Sequence, residues 1–347
     1  MTGDLSRYGA VTAKARAMFA KRLRREDYAR MAEMKSISDV AEYLRAHEYW
    51  SLALGSVDTA ALHRGQMEFL LRWHSFANFL HLSNYVERED RFILRYPVLL
   101  AEIEQITHFM RLAASGNPGD YIFGLPEYFK RFSRVRYDLL PAAKTYDGLL
   151  EAVERTDFYT ALLRLRTESG EFPSYFSVET QMRRYYYRAL TGLLRGRKDN
   201  SAALIREAAG VQADWENITI TDRILRYYPA LMPGILQYLM PAGAHLKPRE
   251  LQAMISLSHA DQLRELLKTT HYGRFLIGNE DDSFEKIGQT RLMAFYRRLM
   301  ASGRPSVVIP IAYINLYHNE LRNIIHMVEC VRYGLKPEKT EKYLVLV

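Results

Sequence analysis

The sequence predicts an all-α protein of three similar helical-bundle lobes, about 110 residues each. Three observations carry this. Apolar residues recur at helical spacing along most of the 347 residues, while the strict alternation of a half-buried strand is sparse. Connections between the periodic stretches are short. Finally, a pattern of an acid, two spacers, an amide and an isoleucine occurs three times, as Glu102-Ile-Glu-Gln105-Ile106, Asp214-Trp-Glu-Asn217-Ile218 and Glu320-Leu-Arg-Asn323-Ile324. The acids are spaced by 112 and 106 residues. Before each copy an aliphatic residue is followed five positions later by an aromatic: Leu44/Tyr49, Val153/Phe158 and Leu267/Tyr272. Two patterns recurring in one order indicate a unit copied three times, and a missed repeat would misassign the whole fold. The lobes are placed at 1–118, 119–230 and 231–347, in a pseudo-threefold arrangement.

Ala10 to Met18, rich in alanine and long side chains, reads as helix. Ser38-Asp39 sets a capping residue before Val40-Ala-Glu-Tyr-Leu44, with Glu42 completing a capping box. Asp147 before Leu149 and Asp261 before Leu263 are similar caps. These short helices run to Tyr49, Phe158 and Tyr272, aromatics expected to seal each lobe's core. Gln66 to Leu82 and Tyr85 to Leu112 read as longer helices, with Pro97 either a first-turn proline or a kink. Residues 113–119 break the helical pattern, and the second lobe begins near Gly124-Leu-Pro126. It holds a helix over Val178 to Leu194 and a polar turn at 195–200. Pro233-Gly234 and Pro241-Ala-Gly243 punctuate the next junction. The acidic loop 278–283 ends in a capping serine, and Ile311 to Gly334 is the last long helix, stopped by Gly334 and Pro337.

Composition bounds the chemistry. With 48% apolar and 25% charged residues the chain is globular, and lobes of about 110 residues need no disulfide or metal staple. The single cysteine, Cys330, lies in an apolar stretch and reads as an inert buried thiol. No apolar signal segment opens the sequence, and its longest apolar run, near Val307 to Tyr317, is too short to span a bilayer. A soluble, cytoplasmic protein is expected. The sequence holds no phosphate loop, dinucleotide fingerprint or H-E-x-x-H motif, and no cofactor or metal is expected. The net charge of +8 makes an acidic partner or surface plausible.

The three acids invite a metal reading, as converging carboxylates. The competing reading is structural: an acid and an amide three residues apart share one helical face and can hydrogen-bond backbone groups that neighbouring segments leave unpaired. Each acid belongs to its own lobe, so Glu102, Gln105, Asp214, Asn217, Glu320 and Asn323, with Tyr49, Phe158 and Tyr272, are read as a packing motif, with no catalytic residue.

The order of these landmarks, with Tyr8-Gly-Ala-Val-Thr-Ala-Lys-Ala-Arg16, Tyr28-Ala-Arg-Met31 and Tyr313 through Gly334-Leu335, resembles the C subunit of V/A-type rotary ATPases, the family of the eukaryotic d subunit. Trp50 directly after Tyr49 and the Tyr185-Tyr186-Tyr187 run depart from the family pattern. The resemblance implies a funnel of three helical lobes and a non-catalytic central-stalk part without a small-molecule substrate. Its implied partners are the D and F shaft subunits and the membrane rotor ring of c/K-type subunits. It would be peripheral on the membrane through that ring, coupling ATP chemistry to proton or sodium transport. The alternatives are a helical-repeat nucleic-acid-binding protein, motivated by Arg183-Arg184 beside the tyrosine run, a generic scaffold, and a helical enzyme. A repeat binder would place equivalent basic residues in each unit, which this sequence does not.

Overall fold

A computed structural model of the chain describes residues 2–55, 57–87, 90, 95–125, 127–241, 243–302 and 304–346. Among these the protein is all-α: every regular element is an α-helix or a 3₁₀ turn. In chain order the helices are α1 (Thr2–Ala20), α2 (Arg25–Ala32), α3 (Ile37–Ala46), α4 (Ser51–Leu54) and α5 (Arg64–Ser83). Next come α6 (Arg95–Ala114), α7 (Tyr146–Val153), α8 (Tyr159–Leu163), α9 (Tyr175–Leu193) and α10 (Asn200–Tyr227). The last are α11 (Pro248–Ile255), α12 (Ala260–Lys268), α13 (Phe284–Ala301), α14 (Val308–Arg332) and α15 (Pro337–Thr340). Pro97 is the third residue of α6, a first-turn proline. Pro126 and Ala242, both read as punctuation, lie outside the described residues.

The chain forms two compact units. One comprises Met1–Arg91, Gly124–Glu127 and Met293–Val347. Its centre is α14, which packs against α1, α2, α3 and α5. Buried residues lie all round α14, from Val308 and Ile309 to Val328 and Val331, as a helix enclosed by others requires. Its end is a Schellman motif. Gly334 takes φ 62°, and the Gly334 and Leu335 N–H groups donate to the carbonyls of Val331 and Cys330. Cys330 is buried there, and burial pushes its thiol pKa up.

The second unit comprises Phe92–Phe123 and Tyr128–Leu292. Here α6 packs on α9, and α10 packs on α9, α12 and the 3₁₀ turn Pro229–Gln237. Trp215 and Ile218 of α10 share a core with Leu263 and Leu267 of α12, Tyr272, and Phe284 and Ile287 of α13.

Three expected caps shift. Ser36 caps α3, its Oγ accepting the Asp39 N–H, while Asp39 reaches back to the Ser36 N–H. Asp39 therefore closes the box that Glu42 was expected to close. Asp147 and Asp261 likewise sit inside the first turns of α7 and α12, where a carboxylate meets the positive end of the helix dipole. Ser283 does cap α13, accepting the Lys286 N–H.

Candidate functional site

The repeated acid and amide sit on α6, α10 and α14. In the second copy, Asn217 grips a single backbone residue: its Oδ1 accepts the Met240 N–H at 2.6 Å and its Nδ2 donates to the Met240 carbonyl at 3.4 Å. Asp214, fully buried, accepts four hydrogen bonds on Oδ2. The donors are the N–H groups of Ala244, His245 and Leu246 and the hydroxyl of Tyr272, at 2.7–3.1 Å. Burial and Asp214 together hold the Tyr272 hydroxyl protonated far above the usual phenol range. Segment 243–246 lies so close that a Cβ on Gly243 would stand 2.5 Å from Asp214 Oδ1, so only glycine fits this approach.

The third copy repeats the device. Asn323 Oδ1 accepts the Val345 N–H at 3.0 Å and its Nδ2 donates to the Val345 carbonyl at 3.0 Å, joined by Asn319 Nδ2 at 2.8 Å. Glu320 accepts on Oε1 from Trp50 Nε1 at 2.8 Å and from the Leu23 N–H at 3.3 Å. Burial raises its pKa to about 7, against the lowering pull of those two donors and of Arg22. In the first copy, Glu102 accepts from Ser133 Oγ at 2.7 Å, and Gln105 Oε1 accepts from Tyr121 at 2.9 Å.

The aromatic landmarks divide. Tyr272 meets its acid directly, whereas Tyr49 bonds the hydroxyl of Tyr313 while its neighbour Trp50 meets Glu320. Phe158 has no polar atom and packs on Tyr185 at 5.8 Å between ring centroids. Sequence reasoning missed Trp50 as a partner and met it only as a departure from a pattern. It also missed Leu23, Met240 and Val345, which act through backbone groups and carry no sequence signal, and Ser133 and Tyr121, whose hydroxyls belong to no repeated pattern.

Around Trp50 lies a buried aromatic cluster. Its ring stacks on Tyr317 at 5.3 Å and lies 5.7 Å from His74. His74 Nδ1 bonds the Tyr317 hydroxyl at 3.0 Å, and burial lowers the imidazole pKa to about 4. Beside the cluster is a cavity of about 350 Å³, lined by Phe19, Tyr28, Tyr313, Leu316, Glu320 and Leu346 among others, with Arg22, Arg24, Arg25 and Arg297 in its wall.

The basic-aromatic stretch on α9 is spent internally. Arg183 pairs with Glu179 and Glu216, Arg184 donates to the carbonyls of Leu236 and Leu239, and Tyr186 and Tyr187 are buried. Among the described residues, no group of three or more His, Cys, Asp or Glu side chains is placed to hold a metal ion. Nor is any helix among them long and apolar enough to cross a membrane.

Fold and site together define a helical protein whose buried acids and amides tie irregular segments to long helices. A sequence model of the ATP synthase (C/AC39) subunit matches residues 11–343, and the chain belongs to that family. It is similar to the C subunit of the A-type ATP synthase of Thermococcus kodakarensis, 22% identical over 97% of this chain and 90% of the relative. The corresponding A-type C subunit of Methanosarcina mazei is 23% identical over 99% of this chain and 94% of its own length. That of Pyrococcus abyssi is 21% identical over 96% and 89%.

Proposed function

We propose that this protein is the non-catalytic central-stalk adaptor of a V/A-type ATP synthase, joining the D and F shaft subunits to the membrane rotor ring of c/K-type subunits. On this reading it sits on the cytoplasmic face, peripheral to the membrane through the ring, and passes torque during ion transport. The observation that carries the reading is the family match across nearly the whole chain. The hydrogen-bonded acid and amide pairs support it physically. A part that transmits torque must not shear internally, and each pair fastens an irregular segment to a long helix through polar contacts that are buried in the second and third copies and half-buried at Glu102, which rigidify a packed interior. We read Glu102, Gln105, Asp214, Asn217, Glu320 and Asn323 as these fasteners, one set to each of three lobes.

Co-purification tests the assignment: the chain is expected to bind both the D/F shaft and the detergent-solubilised ring, and failure to bind either would refute it. The surplus of positive charge predicts ring binding that weakens as ionic strength rises. Binding unchanged by salt would remove the electrostatic part.

A further inference from the structure

The second and third copies of the fastener differ in the backbone that surrounds the acid. Asn217 grips Met240 as Asn323 grips Val345, so the two gripped residues correspond. After Met240 the chain turns over Asp214 and supplies three backbone N–H donors from Ala244, His245 and Leu246. Beside Glu320 the matching ground is the cavity of about 350 Å³, which Val345 and Leu346 line. Glu320 is only 8% exposed. Its Oε1 takes Leu23 N–H and Trp50 Nε1, and among the described residues its Oε2 accepts nothing. One copy of the device is thus filled by a peptide segment, and the other faces an opening of pocket size.

The wall of that opening carries a charge pattern. Arg25 is paired with Glu341 and Arg22 stacks on the Phe19 ring at 4.2 Å. Burial, then the nearby Arg297, then Arg24 lower the Arg22 pKa, with Glu320 opposing. Repelling guanidinium groups around an apolar, aromatic hollow favour acidic groups at its mouth. A simple anion satisfies the arginines and leaves the Glu320 oxygen facing a like charge. Backbone N–H donors flanked by acidic side chains satisfy both.

We propose that the cavity ending at Glu320 is a docking site for an acidic peptide segment of a partner protein. Its backbone N–H groups complete around Glu320 the donor set that residues 244–246 complete around Asp214, and its acidic side chains meet Arg22, Arg24 and Arg297. The proposal rests on the reading of this chain as a subunit of a larger assembly.

The test is made in the intact ATP synthase, with Phe19→p-benzoylphenylalanine in the cavity wall and irradiation of the purified complex. The expected result is an adduct to one partner subunit, mapped by mass spectrometry to a segment with at least two acidic residues. Arg297→Glu, at an exposed position, is expected to lower its yield at least tenfold without changing the melting temperature of the chain. A synthetic peptide of the mapped segment should bind the isolated full chain, and N-methylation of its amides should weaken binding at least tenfold. A complex that retains this chain but gives no adduct above the dark control overturns the proposal. So does an adduct to lipid or nucleic acid, or a yield indifferent to Arg297→Glu. Loss of the unsubstituted chain from the complex would instead refute the subunit reading on which the proposal stands.

Discussion

Glu320 and His74 both touch Trp50, and burial pushes their titrations in opposite directions, which makes the pH dependence of this unit's stability a sharp test. The folded Glu320 carboxyl has its pKa raised from 4.5 to about 7. It binds its proton more tightly folded than unfolded, so its contribution is fully present below 4.5 and is lost as pH rises through about 7. His74 has its pKa lowered from 6.5 to about 4. It resists protonation when folded, so its contribution is present above 6.5 and is lost as pH falls toward 4. Linkage turns these shifts into about 2.5 kcal/mol lost by Glu320 and about 2 kcal/mol regained by His74 between pH 5 and 8. The two nearly cancel, and the unsubstituted protein should show little net dependence from this pair. Glu320→Gln keeps an acceptor for Trp50 and Leu23 but removes the titration, so stability should then rise by about 2 kcal/mol from pH 5 to 8. His74→Asn should do the reverse and fall by about 2.5 kcal/mol. Urea unfolding followed by tryptophan fluorescence at pH 5, 6.5 and 8 measures all three. Parallel curves for the unsubstituted protein and Glu320→Gln would show that Glu320 titrates like an exposed carboxylate, and the reasoning from its burial would fail.

Asp214→Ala strands the buried Leu246 N–H and Tyr272 hydroxyl, at about 4 kcal/mol in total. For a unit of this size that is a fall of about 8–16 °C in melting temperature. Asp214→Asn keeps one acceptor and should lose about half as much, and an alanine cost below about 1 kcal/mol would contradict the fastening role of this carboxylate. Gly243→Ala places a methyl against Asp214 Oδ1 and should destabilise by about 1–3 kcal/mol, with Trp215 emission reporting the displaced segment. Trp50→Phe removes the indole donor to Glu320, and should cost about 2 kcal/mol at pH 8, where the carboxylate is charged, and less at pH 5. Equal losses at both pH values would argue against a charged acceptor.

Much of this fold is legible in the sequence because it is written locally. Helical periodicity places α5, α9 and α14 within a few residues, and Gly334 marks the end of α14 because only a left-handed residue closes that turn. The caps are harder to place because an acid in the first turn and an acid at the cap leave nearly the same trace: Asp39 does bond backbone at the start of α3, but from inside the helix. The site is half legible. The recurrence of the acid and amide picks out side chains on α10 and α14 that face inward at helical spacing and hydrogen-bond neighbouring segments. Their partners are not legible, because Met240 and Val345 are held through backbone atoms that any residue possesses. Trp50 and Glu320 stand 270 residues apart, beyond the reach of any periodicity.

That separation bears on how the protein is made. At about 5–20 residues per second, Trp50 leaves the ribosome roughly 15–50 s before Glu320. Through that interval α1, α2, α3 and α5 lack the helix they enclose, and His74 and Trp50 lack their partner Tyr317. The other unit is encoded almost continuously between Phe92 and Leu292 and has all its parts before α14 exists. Synthesis order therefore constrains assembly: the second unit has its whole chain available first, and the unit built from both ends of the sequence cannot close until α14 is made.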